Sequence, residues 1–117
     1  MKEKFNSEEA RKNLLARERK EKEKREKERK AILQKVIDVL QKEFKGSNVE
    51  VYLVGSIVQP FQFSSDSDVD IVLKNYQEDR FDLWTKLEGQ IKRDVEIILF
   101  ETCHFQEFVV KEGFKVL

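Results

Sequence analysis

One run of six residues restricts the fold of this chain more than any other segment. Residues 68–73 read DVDIVL, and this β-branched and apolar composition predicts a strand. Successive side chains of a strand point to opposite faces, so Asp68 and Asp70 share one face and three apolar side chains share the other. Two carboxylates held side by side repel each other, and a hard cation such as Mg²⁺ relieves that repulsion. The run therefore predicts a strand with a metal site on one face. The simpler alternative is a hairpin with surface aspartates.

A Gly-Ser pair precedes this run. Residues 49–54 alternate apolar and polar side chains and predict a strand, which Gly55 and Ser56 follow directly. Gly55 allows a close backbone turn, and Ser56 would offer its hydroxyl and backbone N–H to a phosphate at the start of a short helix. By itself the pair would predict only a plain turn. The aspartates that follow favour a phosphate-binding turn.

An apolar-Gly-Ser turn, a gap of about ten residues and an Asp-x-Asp strand together resemble the polymerase-β nucleotidyltransferase superfamily. The chain is most similar to its minimal nucleotidyltransferases, which include antitoxins paired with HEPN-domain toxins. The resemblance covers about residues 49–117. It implies an α+β fold, a small mixed sheet with helices packed on it, preceded here by a long charged helix. We therefore divide the chain into a projecting helical extension, residues 1–30, and a nucleotidyltransferase domain, residues 31–117.

The resemblance also implies roles for individual residues. Asp68 and Asp70 would hold Mg²⁺, and Gly55–Ser56 would bind the triphosphate of ATP. A third acidic residue of the family comes from a later strand in an apolar-acid-apolar-apolar context, which Glu96 matches within VEII. Glu96 is therefore expected to be a metal ligand or a base, with Asp94 as the fallback on the same strand face. Flanking cations such as Arg93 are weaker candidates for triphosphate contacts.

The reaction that the resemblance implies is transfer of AMP from ATP to a hydroxyl group. About 17 residues follow the third predicted strand, too few for an acceptor domain with its own core, so we expect the acceptor on another chain. In the resembled pairs it is a tyrosine of the small, helical HEPN toxin. Two alternatives stay open, a non-catalytic antitoxin that only masks its toxin and an antibiotic-type small-molecule nucleotidyltransferase that needs a partner subunit.

The N-terminal third predicts one long helix. No Gly or Pro occurs between Asn6, a suitable N-cap, and about Phe44. Residues 17–30 contain no apolar side chain, and Glu-to-cation pairs at i,i+4 would stabilise them as a solvated, projecting helix. Residues 1–44 carry a net charge of +5 and residues 45–117 a net charge of −5. Because Glu is interleaved with the cations, we do not expect a nucleic-acid partner, but Leu14 and Leu15 could join two copies of the chain.

The remaining pattern predicts the domain that follows. An apolar stripe over residues 32–44 should pack on the domain, as should helices over residues 80–91 and 104–112, and a third strand should span residues 93–100. Phe81 and Trp84 are expected in the core. No apolar run reaches the length of a membrane span, and the single Cys103 excludes an internal disulfide. We expect a cytoplasmic protein.

Overall fold

The computed structural model describes residues 6–117 and confirms the predicted α+β class. A helix of 37 residues leads into a small sheet with two shorter helices. The helices and strands are α1 Ser7–Glu43, β1 Glu50–Val54, β2 Val69–Lys74, α2 Arg80–Ile91, β3 Val95–Leu99, α3 Gln106–Glu112 and β4 Phe114–Lys115. Short 3₁₀ helices span Gly55–Val58 and Phe100–Thr102.

The four strands form one mixed sheet in the order β3-β2-β1-β4. β1 runs antiparallel to both β2 and β4, whereas β2 and β3 are parallel. A parallel pair needs a crossover connection, and α2 supplies it. The two-residue β4 was not predicted, because such a short strand shows no alternation in the sequence and forms only by pairing with the edge of β1.

Helix α1 begins where the sequence predicts. The Asn6 side chain accepts a hydrogen bond from the Glu9 backbone N–H at 3.1 Å and so caps the first turn. Toward the other end, Val36 and Leu40 are fully buried against the sheet, as the apolar stripe predicts. Leu14 and Leu15 are 56% and 52% exposed, and a role for them in joining two copies stays a prediction.

The expectation that the whole charged stretch 17–30 is solvated is wrong at its C-terminal end. Arg29 is only 6% exposed and forms an ion pair with Glu26 on the preceding turn. Both residues continue the α1 stripe of Leu33, Val36 and Leu40 toward the N-terminus, so their side chains meet the loop that follows β1. Whether residues 1–30 form a separate unit stays a prediction.

The two faces of the sheet are covered differently. Helices α1 and α2 pack on the first face, where their buried side chains and those of the strands form the main core. A smaller apolar cluster of Tyr52, Val54, Val72 and Val109 lies on the second face, beneath α3. α3 covers only part of that face, and Asp70 lies on the remainder.

Several aromatic side chains are more exposed than the sequence predicts. Phe81 is 67% exposed and Trp84 is 40% exposed, so neither is a core residue, although Leu83 and Leu87 of the same helix are buried. Phe105 and Phe108 at α3 are also exposed. Within residues 6–117, no helix has both the length and the apolar character needed to cross a membrane.

Candidate active site

The register of the sheet places two carboxylates next to each other. Asp70 of β2 pairs with Glu96 of β3 in the parallel ladder, and on its other side with Val54, the last residue of β1. Asp70 is half-buried and Glu96 is exposed. The sequence predicts that both residues lie on strands, but only the register decides that Glu96, and not Asp94, is the neighbour of Asp70.

The electrostatics of Asp70 reflect this neighbourhood. The pKa of Asp70 is raised to about 6, chiefly by burial and then by the negative charge of Glu96, hydrogen bonding to Glu96 and the charge of Asp68. Sharing a proton relieves the repulsion between adjacent carboxylates, and so does binding a cation. The pair therefore favours either a proton or a metal ion.

Gly55 closes the site from the side of β1. Its φ of +81° is a left-handed conformation that side chains other than glycine rarely adopt. A Cβ added at this position would collide with the Oδ2 atom of Asp70. The backbone angle of the turn therefore favours glycine, and an added Cβ would also displace the Asp70 carboxylate. Ser56 follows in the 3₁₀ helix and is half-buried.

Asp68 and Asp94 lie at the edge of this arrangement. Asp68 is exposed and immediately precedes β2, near enough to influence Asp70 through its charge. Asp94 is exposed, and its backbone carbonyl accepts a hydrogen bond from the Val69 N–H at 2.9 Å. Among residues 6–117, no three His, Cys, Asp or Glu side chains converge as a ready-made ligand cluster. The roles of Asp68 and Asp94 as metal ligands stay predictions.

Arg93 holds the loop that carries Asp68. Its Nη2 atom donates to the backbone carbonyls of Ser64, Ser65 and Ser67 at 2.7, 3.2 and 3.0 Å. The guanidinium also lies over the Phe63 ring, 4.4 Å from its centroid. The sequence suggests Arg93 as a triphosphate contact, but in this structure it organises residues 63–67. A cation beside a strand gives no sequence signal for such a backbone role.

A groove of about 540 Å³ opens beside the two carboxylates. Gly55, Asp70 and Glu96 line it together with exposed Phe105 and Phe108. A second groove, of about 610 Å³, reaches Glu96 from the side of α2 and is lined by Arg80, Phe81 and Trp84. Phe81 and Trp84 lie against each other, with ring centroids 5.9 Å apart. The sequence does not mark these aromatic residues as site residues, because their helical spacing is also typical of a core.

A small mixed sheet with neighbouring carboxylates behind a Gly-Ser turn defines a nucleotidyltransferase-type palm domain. The family model described as "Poly(A) RNA polymerase, mitochondrial-like, central palm domain" matches residues 9–112, and the chain belongs to this family. A search among curated proteins returned no match. The family agrees with the predicted nucleotidyltransferase class. The narrower resemblance to minimal nucleotidyltransferases and their HEPN partners stays a prediction.

Proposed function

We propose that this chain is a Mg²⁺-dependent nucleotidyltransferase that transfers AMP from ATP to a hydroxyl group of a partner protein. The observation that carries the proposal is the Asp70–Glu96 pair on adjacent parallel strands, in contact with the Gly55 turn and facing an open groove. Membership of a nucleotidyltransferase-type palm family supports the general reaction.

The residues present fit a divalent cation. Hard cations prefer carboxylate oxygens, and Mg²⁺ is commonly held by one or two carboxylates together with substrate phosphates. Asp70 and Glu96 supply that donor set, and the raised pKa of Asp70 reflects the crowded negative charge that a cation would neutralise. We propose Asp68 as a further ligand, because its charge already influences Asp70. Bound there, Mg²⁺ would supply charge neutralisation for the triphosphate and for the oxygens of the reacting phosphate.

The proposed reaction transfers AMP to the acceptor hydroxyl and releases pyrophosphate. The acceptor hydroxyl oxygen forms a bond to the α-phosphorus of ATP, and the bond between that phosphorus and the bridging oxygen of pyrophosphate breaks. The hydroxyl proton passes to a carboxylate, a role that we assign to exposed Glu96, and pyrophosphate leaves with the bonding electron pair. Ser56 and the backbone of the turn orient the triphosphate for in-line attack.

Apolar side chains beside the groove favour a protein acceptor. Phe105 and Phe108, 41% and 47% exposed, line the same groove as the carboxylates, and exposed aromatic residues are enriched where proteins meet. A partner seated in this groove could place a tyrosine hydroxyl at Glu96. We propose a small helical toxin of the HEPN type as this partner.

A second acceptor is supported by a different observation. The matching family is described as a poly(A) RNA polymerase palm domain, and the groove beside α2 offers exposed Phe81 and Trp84 next to Arg80. Exposed aromatic rings stack on nucleic-acid bases, and an arginine can contact a phosphate. The alternative acceptor is therefore the 3′-hydroxyl of an RNA.

One experiment separates these functions. The purified chain is incubated with ATP labelled at the α-phosphate and Mg²⁺, with either the protein encoded beside it or a short RNA. We expect AMP on a hydroxyl side chain of the protein, located by mass spectrometry, and no labelling with EDTA or with Glu96→Gln. Glu23→Gln removes an exposed carboxylate of α1 by the same chemical change and is the matched control.

Each of the other outcomes would indicate a different function. Label on the RNA alone would replace the protein acceptor with RNA. A partner that binds tightly but stays unmodified would leave only the masking antitoxin. Label on an added small hydroxyl compound in the presence of the partner would favour the antibiotic-type reaction.

A further inference from the structure

The charged part of α1 contacts the segment that follows the Gly-Ser turn through Glu26 and Arg29. Glu26 and Arg29 lie one turn apart and form an ion pair, and Arg29 is 6% exposed although the residues around it are solvated. The Nε atom of Arg29 donates to the Glu26 Oε2 atom at 3.0 Å, and its Nη2 atom donates to Oε1. The guanidinium and carboxylate thus form a two-bond pair with fixed geometry.

This pair also binds the backbone on both sides of a short segment. The Nη1 atom of Arg29 donates to the Ile57 carbonyl at 2.9 Å, and the Phe61 N–H donates to the Glu26 Oε2 atom at 2.9 Å. Ile57 is the residue directly after Ser56 and belongs to the same 3₁₀ helix as Gly55. Two side chains of α1 therefore fix residues 57–61, which continue directly from the Gly-Ser turn.

The energetics indicate that the pair positions the backbone. Replacing a buried ion pair by apolar side chains is often neutral or stabilising, so stability alone gives little reason to bury Arg29. Two backbone hydrogen bonds from one rigid pair instead restrict the loop that they bracket. The hydrogen bond from Arg29, followed by that from Phe61, lowers the pKa of Glu26 to about 2, so the pair stays ionised at neutral pH.

We infer that Glu26 and Arg29 are positioning residues that hold the Gly55–Ser56 turn in the conformation that binds the triphosphate. The inference rests on the proposed function, because it assigns the turn to nucleotide binding. In this arrangement the last turn of the charged stretch of α1 belongs to the active site, although it touches no reacting atom. Breaking the Glu26–Arg29 pair displaces the Gly55–Ser56 turn and lowers the affinity for the triphosphate.

The test compares charge-matched variants of the full chain. Arg29→Gln is compared with Lys27→Gln, and Glu26→Gln with Glu28→Gln, since Lys27 and Glu28 are exposed on the same turn. Amide hydrogen exchange of residues 57–62 and calorimetric binding of ATP with Mg²⁺ are measured for each. We expect Arg29→Gln to speed local exchange at Phe61 and to raise the Kd for ATP about tenfold, with Glu26→Gln acting in the same direction.

The steady-state kinetics of AMP transfer provide a measurement that a purely structural role would not change. KM for ATP should rise with little change in kcat, because the turn binds the triphosphate before and during the reaction. The two exposed controls should match the wild type in every measurement.

The outcomes distinguish this inference from the proposed function. Wild-type chain that binds no ATP would overturn both. Wild-type binding together with unchanged Kd in both site variants would overturn only the positioning role, even if local exchange increased. If Arg29→Gln does not fold, Glu26→Gln decides the question, because a glutamine at position 26 keeps an oxygen for the Phe61 N–H while losing the charge that fixes Arg29.

Discussion

The two faces of the sheet use the same strands for different purposes. On the first face, Val69, Ile71 and Leu73 of β2 are fully buried beneath α1 and α2. On the second face, β2 carries half-buried Asp70 beside Glu96 of β3, at the end that α3 leaves open. Alternation along one strand thus joins a fully packed core to an open acidic site.

The difference shows where stability and function are separated in this small domain. The first face gains free energy from apolar burial. The acidic end of the second face loses some, because the Asp70 carboxylate is desolvated next to another negative charge. Substitutions at the Asp70–Glu96 pair should therefore change activity more than stability, and substitutions in the core of the first face the reverse.

The largest expected effect is on the rate of AMP transfer, when the Asp70–Glu96 pair on the second face is replaced. Replacing Asp70 by Asn together with Glu96 by Gln should reduce AMP transfer by about a thousandfold or more, since both proposed metal-binding carboxylates are lost. The melting temperature should stay the same or rise, because the substitution removes a repulsion. Rate measurements and thermal unfolding of the same preparation test this. A double variant that transfers AMP at the wild-type rate would remove both residues from the active site.

A substitution in the core of the first face should have the opposite effect, a loss of stability without a loss of ATP binding. Leu40→Ala removes a fully buried side chain of α1 and should lower the free energy of unfolding by about 2–5 kcal/mol. Denaturant titration measures this loss, and exposed Gln41→Ala is the matched control. At a temperature where the variant is still folded, its Kd for ATP should be unchanged. A large change in Kd would show that the two faces are coupled.

Gly55 lies where the turn meets the acidic face. Gly55→Ala combines a φ of +81° with a collision against Asp70, so it should destabilise the chain by about 1–3 kcal/mol and also weaken ATP binding. Gly89→Ala is the control, because a Cβ there meets nothing within 4 Å in helix α2. That variant should be as stable as the wild type or up to about 1 kcal/mol more stable. Equal behaviour of the two variants would contradict the role of Gly55.

The stability of the chain should also depend on pH through Asp70, with a smaller effect than the substitutions described above. The pKa of Asp70 is raised from 3.8 to about 6 in the folded chain, so protonation stabilises the fold. This stabilisation is complete below about pH 4 and is lost as the pH rises through about 6. The melting temperature of the wild type relative to Asp70→Asn should therefore fall between pH 4 and 7. Added Mg²⁺ should reduce the difference at pH 7, and parallel curves would contradict the assignment.

The smallest effect is expected far from both faces. Removing residues 1–22 deletes only solvated turns of the described helix and leaves Glu26 and Arg29 in place. The melting temperature should change by no more than about 2 °C. Extending the deletion through Arg29 should lower it further and raise the Kd for ATP. A large loss from the shorter deletion would mean that this part of α1 packs on a second copy of the chain.

Local patterns in the sequence determined the elements and their faces. Alternation over residues 68–73 and the apolar context of Glu96 predict two strands with acidic faces, and the absence of Gly and Pro after Asn6 predicts α1. These signals depend only on neighbours a few residues away, so they can be read without the fold. The two-residue β4 gives no such signal.

The tertiary structure decided which of these residues meet. The parallel register of β2 and β3 selects Glu96 over Asp94 as the neighbour of Asp70. The direction in which α1 crosses the sheet buries Arg29 against Ile57, 28 residues away, whereas the sequence predicts a solvated cation. Phe81 follows a core-like helical spacing, but the packing of α2 leaves it exposed. Pairing register and helix docking depend on contacts distant in sequence, and local periodicity does not encode them.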